Sequence, residues 1–449
     1  MDQISALAAL VHGKLESSKQ PSPGPEVIGN VLRVMYMTSL KTEESQPLRS
    51  CVVYLDPKAK FEGGVRSADT WCAFPLAEPV PLDVRHLAKV SQSADPGAIV
   101  LAVFPDEKGK LFIWGFVDQV AVHSLRFATW ETNRAQATPG VFHVTVNGVG
   151  DITAYRGMSI LAALKQDALV ERYDAVFDKG PVYGYLKALT LQYIPQVQSR
   201  FSSLPEEAAG GTFLLHLRTA LARILLSVQK YRHGGALLIT GDTAPNLNVK
   251  HRILYDRLPQ ALVNFSSQAI REGAVNDKVY DQLLPAGKSV PLKVFKEYAR
   301  ADFSVRECQS EMAGCVKFIA SLSRVDGLVL LDRGLGIHGF GVEIVDVPEI
   351  ATLYLAEDEG GEALREVAAT EYGTRHRSMF RYCNAHQDSL GFVVSQDGLI
   401  RAIMSVGGKL IMWENVQALL HFDEGQCTDA TCPYCRVEES DPPTEGHAR

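Results

Sequence analysis

Leu328-Val329-Leu330-Leu331 is an unbroken apolar run between Asp326-Gly327 and Asp332. A run so short, with no polar alternation, reads as a strand buried on both faces. Such a strand needs a covering layer on each side, which points to an α/β architecture with a central mixed sheet flanked by helices. The helical spacing of Arg306 to Ser323 supplies one cover directly upstream. At the mouth of the strand, Asp326 offers a carboxylate and Gly327 an unobstructed backbone.

A second cluster lies downstream, where Gly373-Thr374-Arg375-His376-Arg377-Ser378 follows a stretch, Gly361 to Tyr372, with helical spacing. Two guanidinium groups, an imidazole, a hydroxyl and a glycine suited to a turn or helix cap form a set for holding phosphates. A third piece, Val394-Ser395-Gln396-Asp397-Gly398, closes the constellation.

In this order and spacing, the three pieces resemble the diadenylate cyclase (DAC) family, whose signatures are Asp-Gly-Ala, Gly-Thr-Arg-His-Arg and a later Ser-Glu pair. The family motif Gly373 to Arg377 is unaltered, whereas Leu328 stands for a small residue and Gln396 for a carboxylate. The resemblance covers the last third of the chain. It implies condensation of two ATP into cyclic di-AMP, with pyrophosphate as the leaving group. By resemblance, Asp326 and Gly327 join Arg375, His376 and Arg377 in catalysis. ATP would be held by Leu328, Gly373, Thr374, Arg375, His376, Arg377 and Ser395, and Mg²⁺ or Mn²⁺ by Asp326, Gln396 and Asp397. Leu328 is expected to crowd the nucleobase. One site makes half the product, so a homo-oligomer with facing sites is implied.

Plainer readings stand beside these. Asp326 suits a solvated helix-end turn, Arg375 to Arg377 a basic surface turn, and His376 a satisfied structural residue. Asp397-Gly398 is an ordinary hairpin turn, although Asp397 or Asp332 could replace the carboxylate lost at Gln396. With Leu328 and Gln396 altered, the domain could instead bind ATP or a cyclic dinucleotide without turnover. Gly334-Leu335-Gly336-Ile337-His338-Gly339 matches a dinucleotide fingerprint, but Phe340 to Val345 reads as a strand rather than the required helix. We read it as a glycine-rich turn that lets backbone approach the nucleotide.

The rest of the 449 residues divides by periodicity. Residues 1–25 read as a helix and a Pro-rich linker, and residues 26–157 as an α+β sensor module. Residues 158–288 read as a helical and α/β second part, residues 289–420 as the DAC-like domain, and residues 421–449 as an acidic tail. The Leu111-Phe112-Ile113-Trp114-Gly115 strand and the Gly234-Gly235 strand resemble the arrangement of the sensor region labelled DACNV, which accompanies some DAC domains. Gly235 to Ile239 aligns with Gly327 to Leu331, with Gly234 in the place of Asp326. That is either a duplication or the commonest α/β unit repeated.

A net charge of −7 argues against nucleic acid as a partner. The absence of a long apolar stretch or a secretory leader gives the expectation of a cytoplasmic protein without a membrane span. The eight cysteines are scattered except near the end. There Cys427, Cys432 and Cys435 with His421 could hold a structural Zn²⁺, or stay as reduced thiols in a flexible tail.

Overall fold

The computed structural model describes residues 2–16, 22–43, 46–58, 71–94, 99–119, 141–156, 159–200, 204–241, 245–284, 286–396 and 398–418. Its α/β architecture is built on two mixed sheets. The first holds β1 (Ser50–Tyr54), β2 (Trp71–Pro81), β3 (Ile99–Pro105), β4 (Leu111–Gln119), β5 (Phe142–Gly148), β6 (Asp151–Arg156), β7 (Ser159–Lys165) and β8 (Ala168–Val170). They lie in the order β8-β7-β6-β5-β1-β3-β4-β2, and only the β1–β3 pair is parallel. The β3–β4 hairpin turns at Asp106 to Gly109, as the sequence predicts, with Asp106 N–H and the Lys110 carbonyl at 2.9 Å.

One face of this sheet is covered by α1 (Gln3–Glu16) and α2 (Pro25–Ser39). Leu7, Val11 and Leu15 meet Ile28, Leu32 and Met35 over Val52, Leu101, Val144 and Ala154. The first helix, read with residues 1–25 as a piece apart, is therefore part of this core, and α2 opens the α+β module. The short helix α3 (Val84–Ser91) is capped by Asp83, whose carboxylate accepts from His86 N–H.

The second sheet contains β9 (Gly235–Thr240), β10 (Leu247–Tyr255), β11 (Leu328–Asp332), β12 (Ile337–Ile344), β13 (Thr352–Ala356), β14 (Leu364–Ala368), β15 (Leu390–Val394), β16 (Ile400–Val406) and β17 (Lys409–Trp413). Its order is β10-β12-β11-β9-β15-β16-β17-β13-β14. The segments that align in sequence are neighbours here: β9 and β11 pair in parallel with Leu237 opposite Val329. Both are buried on both faces, as the apolar runs require. Val329 and Leu331 face one core, Leu328 and Leu330 the other.

The first of these cores is covered by α4 (Gly180–Thr190), α5 (Ile194–Gln198), α6 (Glu206–Lys230), α7 (Arg257–Asn276) and α8 (Leu292–Leu322). The second is covered by α9 (Thr374–Ala385), through Met379, Phe380, Tyr382 and Cys383. The helix α6 is long and apolar enough to cross a membrane, yet Phe213, Leu217, Leu221 and Leu225 are wholly buried within the protein.

Two boundaries move. β7 and β8 complete the first sheet, while β9 and β10 belong to the second, so residues 158–288 form no unit of their own. The second unit, expected to start at residue 289, thus begins well before it. Gly361 to Tyr372 is not a helix but the edge strand β14 followed by the single 3₁₀ turn Ala369–Glu371. Its helix-favouring residues are overridden by pairing with β13, Leu355 opposite Arg365.

Two enclosed histidines, the buried His143 and the half-buried His216, make stability pH-dependent. Burial holds His143 and His216 down to a pKa of about 3, so both stay neutral in the folded protein. The unfolded chain takes up protons below about pH 6.5 that the folded chain refuses. Stability should therefore be full above that pH and fall on acidification toward pH 3, by up to about 1.4 kcal/mol per pH unit for each histidine. Urea midpoints at pH 7.5, 6 and 5 measure this, and His143→Phe should remove about half of the slope.

Candidate nucleotide site

The Gly373-Thr374-Arg375-His376-Arg377 string forms the first turn of α9. Gly373 is the N-cap in extended conformation, with no side-chain capping bond. The opening amides of a helix lack intrahelical acceptors, and the helix dipole favours an anion in front of them. The turn faces the end of β15, and Gly373, Thr374, Arg375 and His376 line a cleft of about 540 Å³ with Val393, Val394, Ser395 and Gln396. Gln166, from the hairpin between β7 and β8, closes one side.

Arg375 reaches across the sheet edge. Its Nη1 lies 2.5 Å from where a Cβ on Gly234 would be, and Gly234 has φ +70°. Backbone conformation and guanidinium position thus both demand glycine at 234. Among the described residues neither Arg375 nor Arg377 forms an ion pair, and Arg377 is exposed. Both guanidinium groups are open to an anion.

His376 is placed differently. It is buried, and its Nε2 lies 3.2 Å from Arg401 Nη1. A guanidinium has no lone pair to offer, so Nε2 accepts and carries no proton. In this arrangement the imidazole supports Arg401 instead of facing solvent, in keeping with the reading as a satisfied structural residue. Arg401, on β16, also donates to Ser395 Oγ at 3.1 Å and to Glu414 Oε1 at 3.3 Å, and stands over the Tyr372 ring at 5.8 Å.

Sequence reading missed Arg401. The signal was there: one cation in Ile400-Arg401-Ala402-Ile403-Met404, a strand otherwise apolar, must have buried partners. Ser395 is in turn anchored by its N–H and Oγ on the Leu399 carbonyl, at 2.9 and 3.1 Å.

The first cluster reaches the same sheet edge but not the cleft wall. Gly235 pairs with Val394, and continuing the β9–β11 ladder places Gly234 beside Asp326. Two strand spacings then separate Asp326 from Ser395, about 10 Å. Asp326 is exposed. Gly327 (φ +114°) has a structural reason, since a Cβ there would lie 2.5 Å from the Gly341 carbonyl carbon. Gly341 thus fills the side of Gly327 that the missing side chain leaves.

Leu328 packs into the core beneath α9 with Met379 and Phe380, so it cannot crowd a nucleobase in the cleft. The glycine-rich turn after Asp332 lies at the far end of β11, away from the cleft. There Asp332 accepts from Gly336 N–H at 2.9 Å and pairs with His338.

Among the described residues no group of three or more His, Cys, Asp or Glu side chains comes together. Asp326 and the exposed Gln396 would fit a cation only as a shared ligand, with phosphate oxygens filling the remaining positions. Asp397, His421, Cys427, Cys432 and Cys435 lie outside the described residues.

Comparison with known proteins bears on the N-terminal region. Residues 17–118 match the family described as probable sensor domain DACNV. No curated protein and no solved structure matches the chain. The DACNV match spans α2 and the strands β1 to β4, in keeping with a sensor role for the N-terminal region.

Arg401 makes the network around the cleft testable. Removing it takes one partner from each of Ser395 and His376, while Glu414, about one third exposed, can rehydrate. Arg401→Leu should therefore cost about 1–3 kcal/mol rather than the larger loss of a fully buried pair. Chemical denaturation measures the cost, and a loss within 0.5 kcal/mol would show that the guanidinium is not holding the network.

Proposed function

We propose that this protein is a diadenylate cyclase whose C-terminal unit condenses two ATP into cyclic di-AMP under the control of its DACNV region. The observation that carries this reading is the cleft itself. It joins the α9 N-terminus, the open Arg375 guanidinium and the Ser395 hydroxyl on one wall, with the Asp326 carboxylate at the same sheet edge. Its volume is in the range of small-ligand sites.

In the proposed reaction the 3′-hydroxyl of one ATP attacks the α-phosphorus of the other. The new O–P bond forms as the bond to the pyrophosphate oxygen breaks. Arg375, Thr374 and the first-turn amides bind the triphosphate and neutralise charge on the departing pyrophosphate, with the exposed Arg377 adding positive charge from outside the cleft. Asp326 stands as acceptor for the hydroxyl proton. A Mg²⁺ or Mn²⁺ held between Asp326 and the phosphates would add charge neutralisation. His376 acts through Arg401 and Ser395 rather than on the nucleotide. A second copy facing the first supplies the other ATP, and the two reactions close the ring.

One observation favours a second reading. Gln396 is exposed and uncharged where the family has a carboxylate, which would leave a module that binds ATP or cyclic di-AMP and reports it by a change of assembly.

Incubation with ATP and either Mg²⁺ or Mn²⁺, followed by mass-resolved chromatography, separates the two. The cyclase reading expects cyclic di-AMP from the wild type and none from Asp326→Asn. Arg375→Ala should weaken ATP binding about tenfold to a hundredfold, from the loss of a charge-assisted contact. Nucleotide binding without product would leave the binding module. If neither nucleotide binds, both readings are wrong.

A further inference from the structure

The wall of the cleft opposite α9 comes from the N-terminal unit, and its placement is over-determined. The β7–β8 hairpin pairs Lys165 with Ala168 and turns through Gln166 and Asp167. Gln166 sits in the left-handed region at φ 59°. Its N–H donates to the Gly150 carbonyl at 2.7 Å, and its carbonyl accepts from Tyr36 Oη at 3.4 Å. Gly150 in turn donates its N–H to Ser39 Oγ at 3.1 Å. Tyr36 and Ser39 belong to α2, inside the segment that matches DACNV. An unbroken chain of contacts thus runs from the sensor region to a residue lining the cleft.

The preceding residue grips the other side of the site. Lys165 is 7% exposed, and its Nζ donates to the Gly398 carbonyl at 3.2 Å. Gln229 of α6 donates to the same carbonyl. Gly398 N–H donates to the Ser395 carbonyl, so this oxygen belongs to the turn that presents Ser395 and Gln396. Ala163, Val170 and Tyr173 pack on Leu399 beside it. Arg232 closes the seam against Gly148, where a side chain would clash with the guanidinium.

We infer that Lys165 and Gln166 are positioning residues lent to the nucleotide site by the N-terminal region, Lys165 fixing the Ser395–Leu399 turn and Gln166 forming a wall of the cleft. This rests on the cleft's binding a nucleotide. It names the physical link by which the sensor acts: a displacement of α2 or of the Gly150 turn moves Gln166 and loosens the grip on Gly398. By linkage, the factor by which a sensor ligand changes nucleotide affinity equals the factor by which nucleotide changes affinity for that ligand.

The test uses the full chain as wild type, Gln166→Gly, Lys165→Met and Arg375→Ala, each titrated with ATP and with cyclic di-AMP. Glycine adopts the positive φ without strain, so Gln166→Gly should keep the wild-type melting temperature. Both hairpin variants should bind nucleotide about threefold to tenfold more weakly, the scale of one lost hydrogen-bonding group. Hydrogen exchange adds a readout that a merely structural role would not move. Nucleotide should slow exchange at residues 165–167 and 398–399 in the wild type, but not in Arg375→Ala.

Wild-type-like affinity in both hairpin variants, with binding lost in Arg375→Ala, would overturn the inference while leaving the nucleotide site standing. If the wild type binds neither nucleotide, the parent reading fails and the inference falls with it.

Discussion

The parallel ladder between Gly235–Thr240 and Leu328–Asp332 is the constraint on which the C-terminal unit depends. These strands carry no polar alternation, so neither face can meet water, and each face demands its own layer. The core beneath α6, α7 and α8 answers one face, and α9 answers the other. Because α9 lies over β15, β16 and β17 to bury Met379 and Phe380, its N-terminus is delivered to the strand ends where Gly234 and Ser395 stand. The cleft is thus a by-product of burial before it is a binding site.

Charge is then fitted into that dry frame beside the cleft. Arg401 is a cation within an apolar strand, and its neighbours Ser395, His376, Glu414 and Tyr372 form the surroundings that burial of a guanidinium requires. Satisfying Arg401 fixes the tautomer of His376, which separates the two arginines of the Gly-Thr-Arg-His-Arg string from the histidine between them. On a helix, successive residues point about 100° apart, so a linear motif is divided among cleft, core and solvent.

Much of this was legible beforehand. The buried strand, the α/β class and the turn at Asp106 to Gly109 follow from local rules of apolar period and turn chemistry. The phosphate-holding character of Thr374 to Arg377 follows from residue type. Missed were the partners of Arg401, since His376, Ser395 and Glu414 come from three different segments, and β14, where Leu364–Ala368 lies in a stretch of helical composition yet forms an edge strand. The domain boundaries were misplaced for the same reason: β9 is separated from its partner β11 by α7, α8 and the edge strand β10, and sequence gives no measure of which strands will meet.

The sequence by itself determined which segments must be buried and which side chains could hold a phosphate, because apolar periodicity and functional-group chemistry are local properties. Only the tertiary structure decided that Leu328 lies in the core, that His376 serves Arg401, that Lys165 holds Gly398 and that Gln166 reaches the cleft. Each of those outcomes is set by contacts between segments far apart in the chain, where packing and the pairing of buried polar groups choose among arrangements that local sequence leaves equal.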